Sequence, residues 1–288
     1  MHGKEKDAFL NIFEFTILIW LGSLGAGFLG ALTGLGGGVV IVPFLALGLG
    51  VDIRYAIGAS LVSVIATSSG AAAAYVKEGF TNIRMGMFLE MATTMGALVG
   101  AALAARIPTA AIAVIFGCVL IYSSYLSSRP QRESQKQKES PDPLANRLKM
   151  DSTYPTREGP TPYHVHAIPL GFSLLFGAGT LSGLLGIGSG AVKVLAMDQA
   201  MRIPFKVSTT TSNFMIGVTA AASSGVYLNR GYIDPGLAMP VMLGVLLGSL
   251  IGARLLFGAR TRILRIIFGF VILALGIEMI YNGVTGRL

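Results

Sequence analysis

The sequence predicts an all-α polytopic membrane protein. It is built from two homologous repeats of about four transmembrane helices each, and the first helix of each repeat is broken at a Gly-rich motif. Three observations carry this prediction. First, 53% of the 288 residues are hydrophobic and only 12% are charged, whereas a soluble domain is about a quarter charged. Second, eight apolar runs (15–32, 56–76, 85–105, 109–126, 168–186, 207–228, 236–257 and 263–281) each approach the roughly 17–25 residues that cross a bilayer. Third, four stretches recur at one offset of 152 residues: LTGLGGGVVIV (32–42) with LLGIGSGAVKV (184–194), YVKEGF (75–80) with YLNRGY (227–232), GALVGAAL (96–103) with GSLIGARL (248–255), and IFGCVLI (115–121) with IFGFVIL (267–273). A shared offset marks a duplicated unit.

In chain order, residues 1–10 read as a tail. Lys4 and Lys6 precede an apolar run from Phe15 to Leu32, which is longer than the roughly 7–15 residues of a signal-peptide core. It therefore reads as a retained first helix. Residues 11–128 form transmembrane repeat 1, and 167–288 form repeat 2. In each, the first apolar region is interrupted by glycines, GLGGG (34–38) or GIGSG (186–190), and continues for only a dozen apolar residues. Three further runs follow. If the short segments re-enter on one side, there are eight crossings and the halves share an orientation. If they cross, there are ten and the halves are inverted. Both arrangements occur in transporters, and the eight-crossing form is the favoured reading.

Between the repeats lies a polar, proline-bearing linker, 129–166, which is read as solvent-exposed with a short helix near 142–150. In the eight-crossing form, thirteen lysines and arginines fall on the side of the termini and linker and seven on the other. That places the termini and linker in the cytoplasm. The net charge of +8 sits in loops between apolar runs and implies no nucleic-acid partner. The partners expected are a small anion and the lipid bilayer, with a homodimer left open. The lone Cys118 excludes an intramolecular disulfide and reads as a buried, inert thiol. His2, His164 and His166 lie in predicted solvent segments, and no HExxH is present. Neither a metal, a cofactor nor an enzymatic centre is implied.

The chemistry concentrates in a few polar residues inside apolar sequence. Clustered glycines disfavour continuous helix, and irregular backbone at membrane depth is tolerated only where it is buried or lines a cavity. Two such breaks point to a transport site near the midplane, with Gly36, Gly37 and Gly38 in one half and Gly188, Ser189 and Gly190 in the other. The remaining GxxxG spacings, such as Gly96 with Gly100 and Gly244 with Gly248, read as helix-packing positions. Lys193 follows the second break by three residues, and an ammonium there is costly. It either faces an anion, or pairs with Asp198 or Glu90, or snorkels to water. Its counterpart in the first half is Ile41, so the repeat itself does not require the charge. VSTTTSNF (207–214) supplies Thr210, Thr211 and Asn213, and the first half answers with Ser60 and Ser63. These read either as oxyanion ligands or as caps and interhelical hydrogen bonds. Glu90, a lone carboxylate in MFLEMATT opposite Met242, is the candidate coupling group, or else an ion-pair partner of Lys193 or Arg254.

GLGGGVVIVP (34–43), GIGSGAVKVLAMD (186–198), KVSTTTSNFMIGVTAAASSG (206–225) and RGYIDPGLAMP (230–240) resemble the TauE/SafE sulfite exporter family of prokaryotic membrane transporters. The resemblance covers both repeats. It departs in the second motif, where Ser189 stands in place of a common glycine and Leu195 lies opposite Pro43. It implies transport of a small sulfur-containing oxyanion such as sulfite, a sulfonate or sulfoacetate across a prokaryotic cell (inner) membrane; no ATP-binding motif is present, so a secondary transporter driven by gradients is expected. An anion channel, or a carrier of another small organic anion, is the alternative.

Overall fold

The computed structural model describes residues 12–33, 37–77, 79–128, 142–156, 159–256 and 261–286. The chain is mostly helical. The first part runs α1 (Ile12–Thr33), a short α2 (Gly38–Pro43) continued by a π-helical turn (Phe44–Gly48), α3 (Ile53–Lys77), α4 (Ile83–Ala104) and α5 (Thr109–Ser128). The linker forms α6 (Pro143–Leu148) and the strands β1 (Ser152–Thr156) and β2 (Gly159–Tyr163). The second part runs α7 (Ile168–Leu185), a short α8 (Gly190–Leu195) continued by a π-helical turn (Ala196–Ala200), α9 (Phe205–Asn229), α10 (Pro235–Leu256) and α11 (Thr261–Thr285).

Burial is that of a membrane protein. Among the described residues, α4, α7 and the Pro235–Gly252 part of α10 are long and apolar enough to cross a bilayer. Large apolar side chains point outward, as at Met87, Met91 and Met95 on α4 and Leu243, Leu247 and Leu250 on α10. Ser60, Ser63, Glu90, Thr93, Lys193 and Thr219 are buried inside. An apolar exterior around polar interior groups suits lipid rather than water as the surrounding solvent. Cys118 is exposed on α5, which corrects the expectation of a buried thiol. The run IFGCVLI turns its cysteine outward because Phe116 and Leu120 take the buried positions.

Glycines set the helix pairs. A methyl group on Gly96 or Gly100 of α4 would meet backbone oxygens of Phe176 and Thr180 on α7 at 2.1 and 2.0 Å. One on Gly248 of α10 would meet Leu24 O of α1 at 2.0 Å. Only hydrogen permits such backbone contact. These pairs also fix direction. Gly96 faces Phe176 and Gly100 faces Thr180, so α4 and α7 run parallel; Gly244 faces Trp20 and Gly248 faces Leu24, so α1 and α10 are parallel too. By contrast Gly117 packs on Gly276 and Gly283 on Ala110, and Ser124 donates to Gly269 O, so α5 and α11 are antiparallel.

The short segments decide the topology. Gly37 lies against Gly27, and Phe44 against Gly22, so α2 doubles back along α1. Arg54, at the start of α3, donates to Ala104 O and Ile107 O at the end of α4. Gly58, near the start of α3, packs on Tyr232 just before α10, and α10 runs parallel beside α1 from the same face, so the chain leaves that face on α1 and begins α3 there. The second part repeats the move: Met201 O accepts from the His166 amide beside the start of α7. This differs from the expectation that the two halves share one orientation. The short segment carries the chain back toward its starting face in each part, and α5 and α11, which occupy matching places, run in opposite directions. It also separates the ends, because α1 begins and α11 ends at one face while the linker joins α5 to α7 at the other. The described start of α1 and end of α11 thus lie opposite the described end of α5 and start of α7, which does not fit the expectation that the termini share the linker's side.

The linker is not uniformly solvent-exposed. Asp142 caps α6 through Leu144 N, and β1 pairs antiparallel with β2 from Ser152↔Tyr163 to Thr156↔Gly159. Ala145, Met150, Tyr163 and Val165 are buried against α4, α7 and α9. Asn82, the N-cap of α4, donates to Met150 O (2.9 Å) and to the Tyr163 hydroxyl (2.7 Å). Burial pushes the Tyr163 hydroxyl up to about 12. His164 meets Asp151 at 2.8 Å, and Asp151 also accepts from Val165 N. That contact occupies the histidine, and among the described residues no cluster of metal-ligating side chains forms.

Candidate functional site

The second break is fully described. α7 ends at Leu185 and α8 starts at Gly190, with Gly186 and Gly188 at φ 68° and 69° and Ser189 at φ 45°. Glycine is the residue that takes this left-handed region without strain. Gly188 packs against Val64 and Ile216, near the middles of α3 and α9, so the break lies at mid-depth. Ser60 links it to the first half: its hydroxyl donates to Gly186 O (2.8 Å), and Gly38 lies close to both. Ser212 donates to Gly190 O at 3.3 Å. The Ser189 hydroxyl is buried and has no partner among the described residues. Gly36 lies outside the described residues. Gly37 is packed against Val245 of α10.

Lys193 follows on α8 and is 0% exposed, so it does not snorkel. Its ammonium donates to Thr219 Oγ1 of α9 at 2.5 Å. Thr219 has a single proton, and its shortest acceptor is Glu90 Oε1 of α4 at 2.7 Å; Met215 O stands by at 2.9 Å. Glu90 is further held by Thr93, which donates to Oε2 (2.8 Å), and by Thr94, which donates to Oε1 (2.9 Å). One ammonium and one carboxylate are thus joined through a hydroxyl and closed off from water. A buried charge persists only when paired and hydrogen-bonded; here Glu90 accepts from three threonine hydroxyls, and Lys193 reaches it through Thr219. Asp198, the other partner considered for Lys193, lies half-buried on the π-helical turn. The Arg254 side chain lies outside the described residues.

The hydroxyls singled out in the sequence divide. Ser60 joins the break. Ser63 donates to Ser60 O within its own helix. Thr210 donates to Lys206 O and Val207 O, again within its helix. Thr211 accepts from the Asn82 amide at the linker face, and Asn213 is half-buried. None of the contacts of Thr210 or Thr211 reaches the Lys193 cluster. Sequence reasoning missed Thr219, Thr93 and Thr94. The two on α4 stand at i+3 and i+4 from Glu90, a spacing that places them on its face. Thr219 carried no such signal.

Two cation–aromatic contacts close the opposite ends of α3 and α9. Arg54 lies 5.8 Å from the ring centre of Tyr232, and Lys206 lies 5.8 Å from that of Phe80. Both cations and both rings are related by the 152-residue offset.

Residues 19–279 match the family described as Sulfite exporter TauE/SafE. The chain is 29% identical over 283 residues to "Probable membrane transporter protein YunE" of Bacillus subtilis (strain 168), covering 94% of this chain and 99% of the relative. It is 24% identical over 271 residues to a "Probable membrane transporter protein" of Xylella fastidiosa (strain 9a5c), covering 93% and 96%. It is 23% identical over 239 residues to "Probable membrane transporter protein YdhB" of Bacillus subtilis (strain 168), covering 83% and 87%. No solved structure matches the chain.

Proposed function

The chain belongs to the TauE/SafE sulfite exporter family and is a membrane transporter; from that premise we propose that it is a secondary transporter of a small sulfur-containing oxyanion, such as sulfite or a sulfonate. The observation that carries the reading is Lys193, a fully buried ammonium on the helix that follows a mid-depth break. Intramembrane ionisable groups are costly and mark substrate pathways, and discontinuous helices at a repeat interface are where transporters bind cargo. A sulfonate offers three acceptor oxygens to the ammonium and to the unpartnered Ser189 hydroxyl, and charge-assisted contacts of that kind are the strong ones. Gly38, Gly188, Gly190 and Ser60 shape the break, with Gly36 and Gly37 completing the first motif.

The two parts are homologous repeats in inverted orientation. The 152-residue offset and the antiparallel α5–α11 pair support this. Assigned by sequence to the loops between the described helices, fourteen lysines and arginines count toward the linker face and six toward the face of the termini. The positive-inside rule puts the linker in the cytoplasm of a prokaryotic cell and the termini outside.

The test is uptake of radiolabelled sulfite and methanesulfonate into liposomes holding the purified chain. Saturable uptake that falls at least about tenfold in Lys193→Met is expected, the loss of one charge-assisted contact being worth that or more. Full uptake by the variant would remove Lys193 from the site. No uptake of either anion by the unaltered chain would remove the substrate class.

A further inference from the structure

The buried charges at the site balance before any cargo arrives. Lys193 is matched by Glu90 through Thr219, and the three side chains come from α8, α4 and α9. An anion that docks on Lys193 adds a second negative charge beside a single positive one, in a place closed to water. Such an imbalance is expensive, and a carboxylate can relieve it by taking up a proton. We propose that the transported anion and the Glu90 carboxylate exchange as counterion of Lys193, so that one proton enters with each monovalent anion; this deepens the transport reading and rests on it.

The step balances. A hydronium ion on the open side gives its proton to a Glu90 oxygen and leaves as water. Site charge stays at zero, because the neutral acid, the ammonium and the anion replace the carboxylate and the ammonium. When the anion departs, the proton returns to water. Thr219 is the positioning residue. Its one proton has two acceptors in reach, Glu90 Oε1 at 2.7 Å and Met215 O at 2.9 Å. While Glu90 is ionised the hydroxyl points to it. Once Glu90 carries its own proton, the hydroxyl turns to Met215 O and accepts from the acid.

The surroundings leave Glu90 as the group that exchanges. α7, packed along α4, carries no ionisable side chain. α9 brings only Lys206 and Tyr227, near its ends, and the α8 segment brings Lys193 and Asp198. On α4 itself Arg84 is exposed at the first turn, and the linker contributes Tyr154 and Tyr163 at the Asn82 end. The matching positions of the other repeat are Ile41 and Met242, so the exchange has one seat, not two.

The experiment measures how methanesulfonate, a monoanion throughout, raises the thermal stability of the purified full-length chain between about pH 6 and 8. Apparent affinity is expected to tighten about tenfold per unit fall in pH, the slope of one linked proton. Glu90→Gln should bind more tightly than the unaltered chain at the upper pH and show no slope, while Asp198→Asn keeps the slope. Thr219→Val should flatten or weaken the response, and Thr219→Ser should restore it. A flat response in the unaltered chain, an unchanged slope in Glu90→Gln, or no stabilisation of either would overturn the exchange. Liposome uptake separates the two ideas. Saturable flux without proton movement removes the exchange and leaves the transporter. A one-proton binding slope without flux of sulfite or methanesulfonate keeps the exchange and removes the substrate class.

Discussion

Replacing Lys193 by methionine tests whether the buried pair is energetically real. Methionine keeps the length of the stem and removes the charge, so packing changes little. The two hydrogen bonds through Thr219 hold ammonium and carboxylate no more than about 5 Å apart, which at an effective dielectric of ~20 corresponds to about 3 kcal/mol of attraction. Removing one partner of a buried pair typically costs about 3–5 kcal/mol. Thr93 and Thr94 still donate to Glu90 in the variant, which places the expected loss near the lower end, about 3 kcal/mol. For a chain of this size that lowers the unfolding midpoint by roughly 6–12 °C. The assay is thermal unfolding of the purified chain in detergent, run as a double-mutant cycle with Glu90→Gln. The double variant should recover to within about 1 kcal/mol of the starting protein, because no unpaired charge remains. A single variant as stable as the original, or a double variant as unstable as the sum of the singles, would refute the pairing.

Four other outcomes follow from the packing and topology. Gly100→Val should destabilise by about 1–3 kcal/mol or more, since its new carbons would overlap the Thr180 carbonyl at 2.0 Å; unfolding measurements in detergent check it. Arg54→Ala should cost about 1–3 kcal/mol by removing its bonds to Ala104 O and Ile107 O and its contact with Tyr232, with Lys206→Ala costing less because its described contact is one ring. Asn82→Ala should loosen the hairpin by about 1–2 kcal/mol for the bonds to Met150 O and the Tyr163 hydroxyl, seen as faster proteolysis within 152–163. In a Cys118→Ala background, a cysteine at Thr153 should react with impermeant thiol reagents only from the cytoplasmic side and one near residue 286 only from outside; labelling of both from one side would overturn the inverted arrangement.

The membrane class and the chemically loaded residues were legible in the sequence because each breaks a local rule. Lys193 and Glu90 are charges inside apolar runs, and Ser189 sits in a glycine cluster that no continuous helix tolerates. What was not legible depended on pairing across the fold. Thr219 is one hydroxyl among many on α9, and its partner Glu90 is 129 residues away. Thr210 and Thr211 stood out for the opposite reason: a dense polar run attracts notice, yet their hydroxyls serve the helix itself and the Asn82 turn. The direction of the halves was hidden by the short α2 and α8 segments. A dozen apolar residues look too few for a pass, and the reversal shows only in contacts across the fold, such as Phe44 on Gly22 and Gly58 on Tyr232.

With the repeats inverted as proposed, a duplicated scaffold has reason to carry its charge once. An inverted pair of repeats gives each element a counterpart facing the opposite side of the membrane, so α1 with α10 matches α7 with α4, and the Arg54–Tyr232 contact matches Lys206–Phe80. Those matched parts are the ones that must serve both faces alike. On the proposed transport reading, the counterion seat has no such duty, since a single cargo position reached alternately from each side needs one ammonium. A second ammonium at Ile41 and a second carboxylate at Met242 would bury another pair at further desolvation cost and hold cargo at two depths. Hence Ile41→Lys alone should fold poorly, lacking a carboxylate, while Ile41→Lys with Met242→Glu should recover stability. If the added pair instead raised transport, cargo would be held at two sites and the single-seat account would fail.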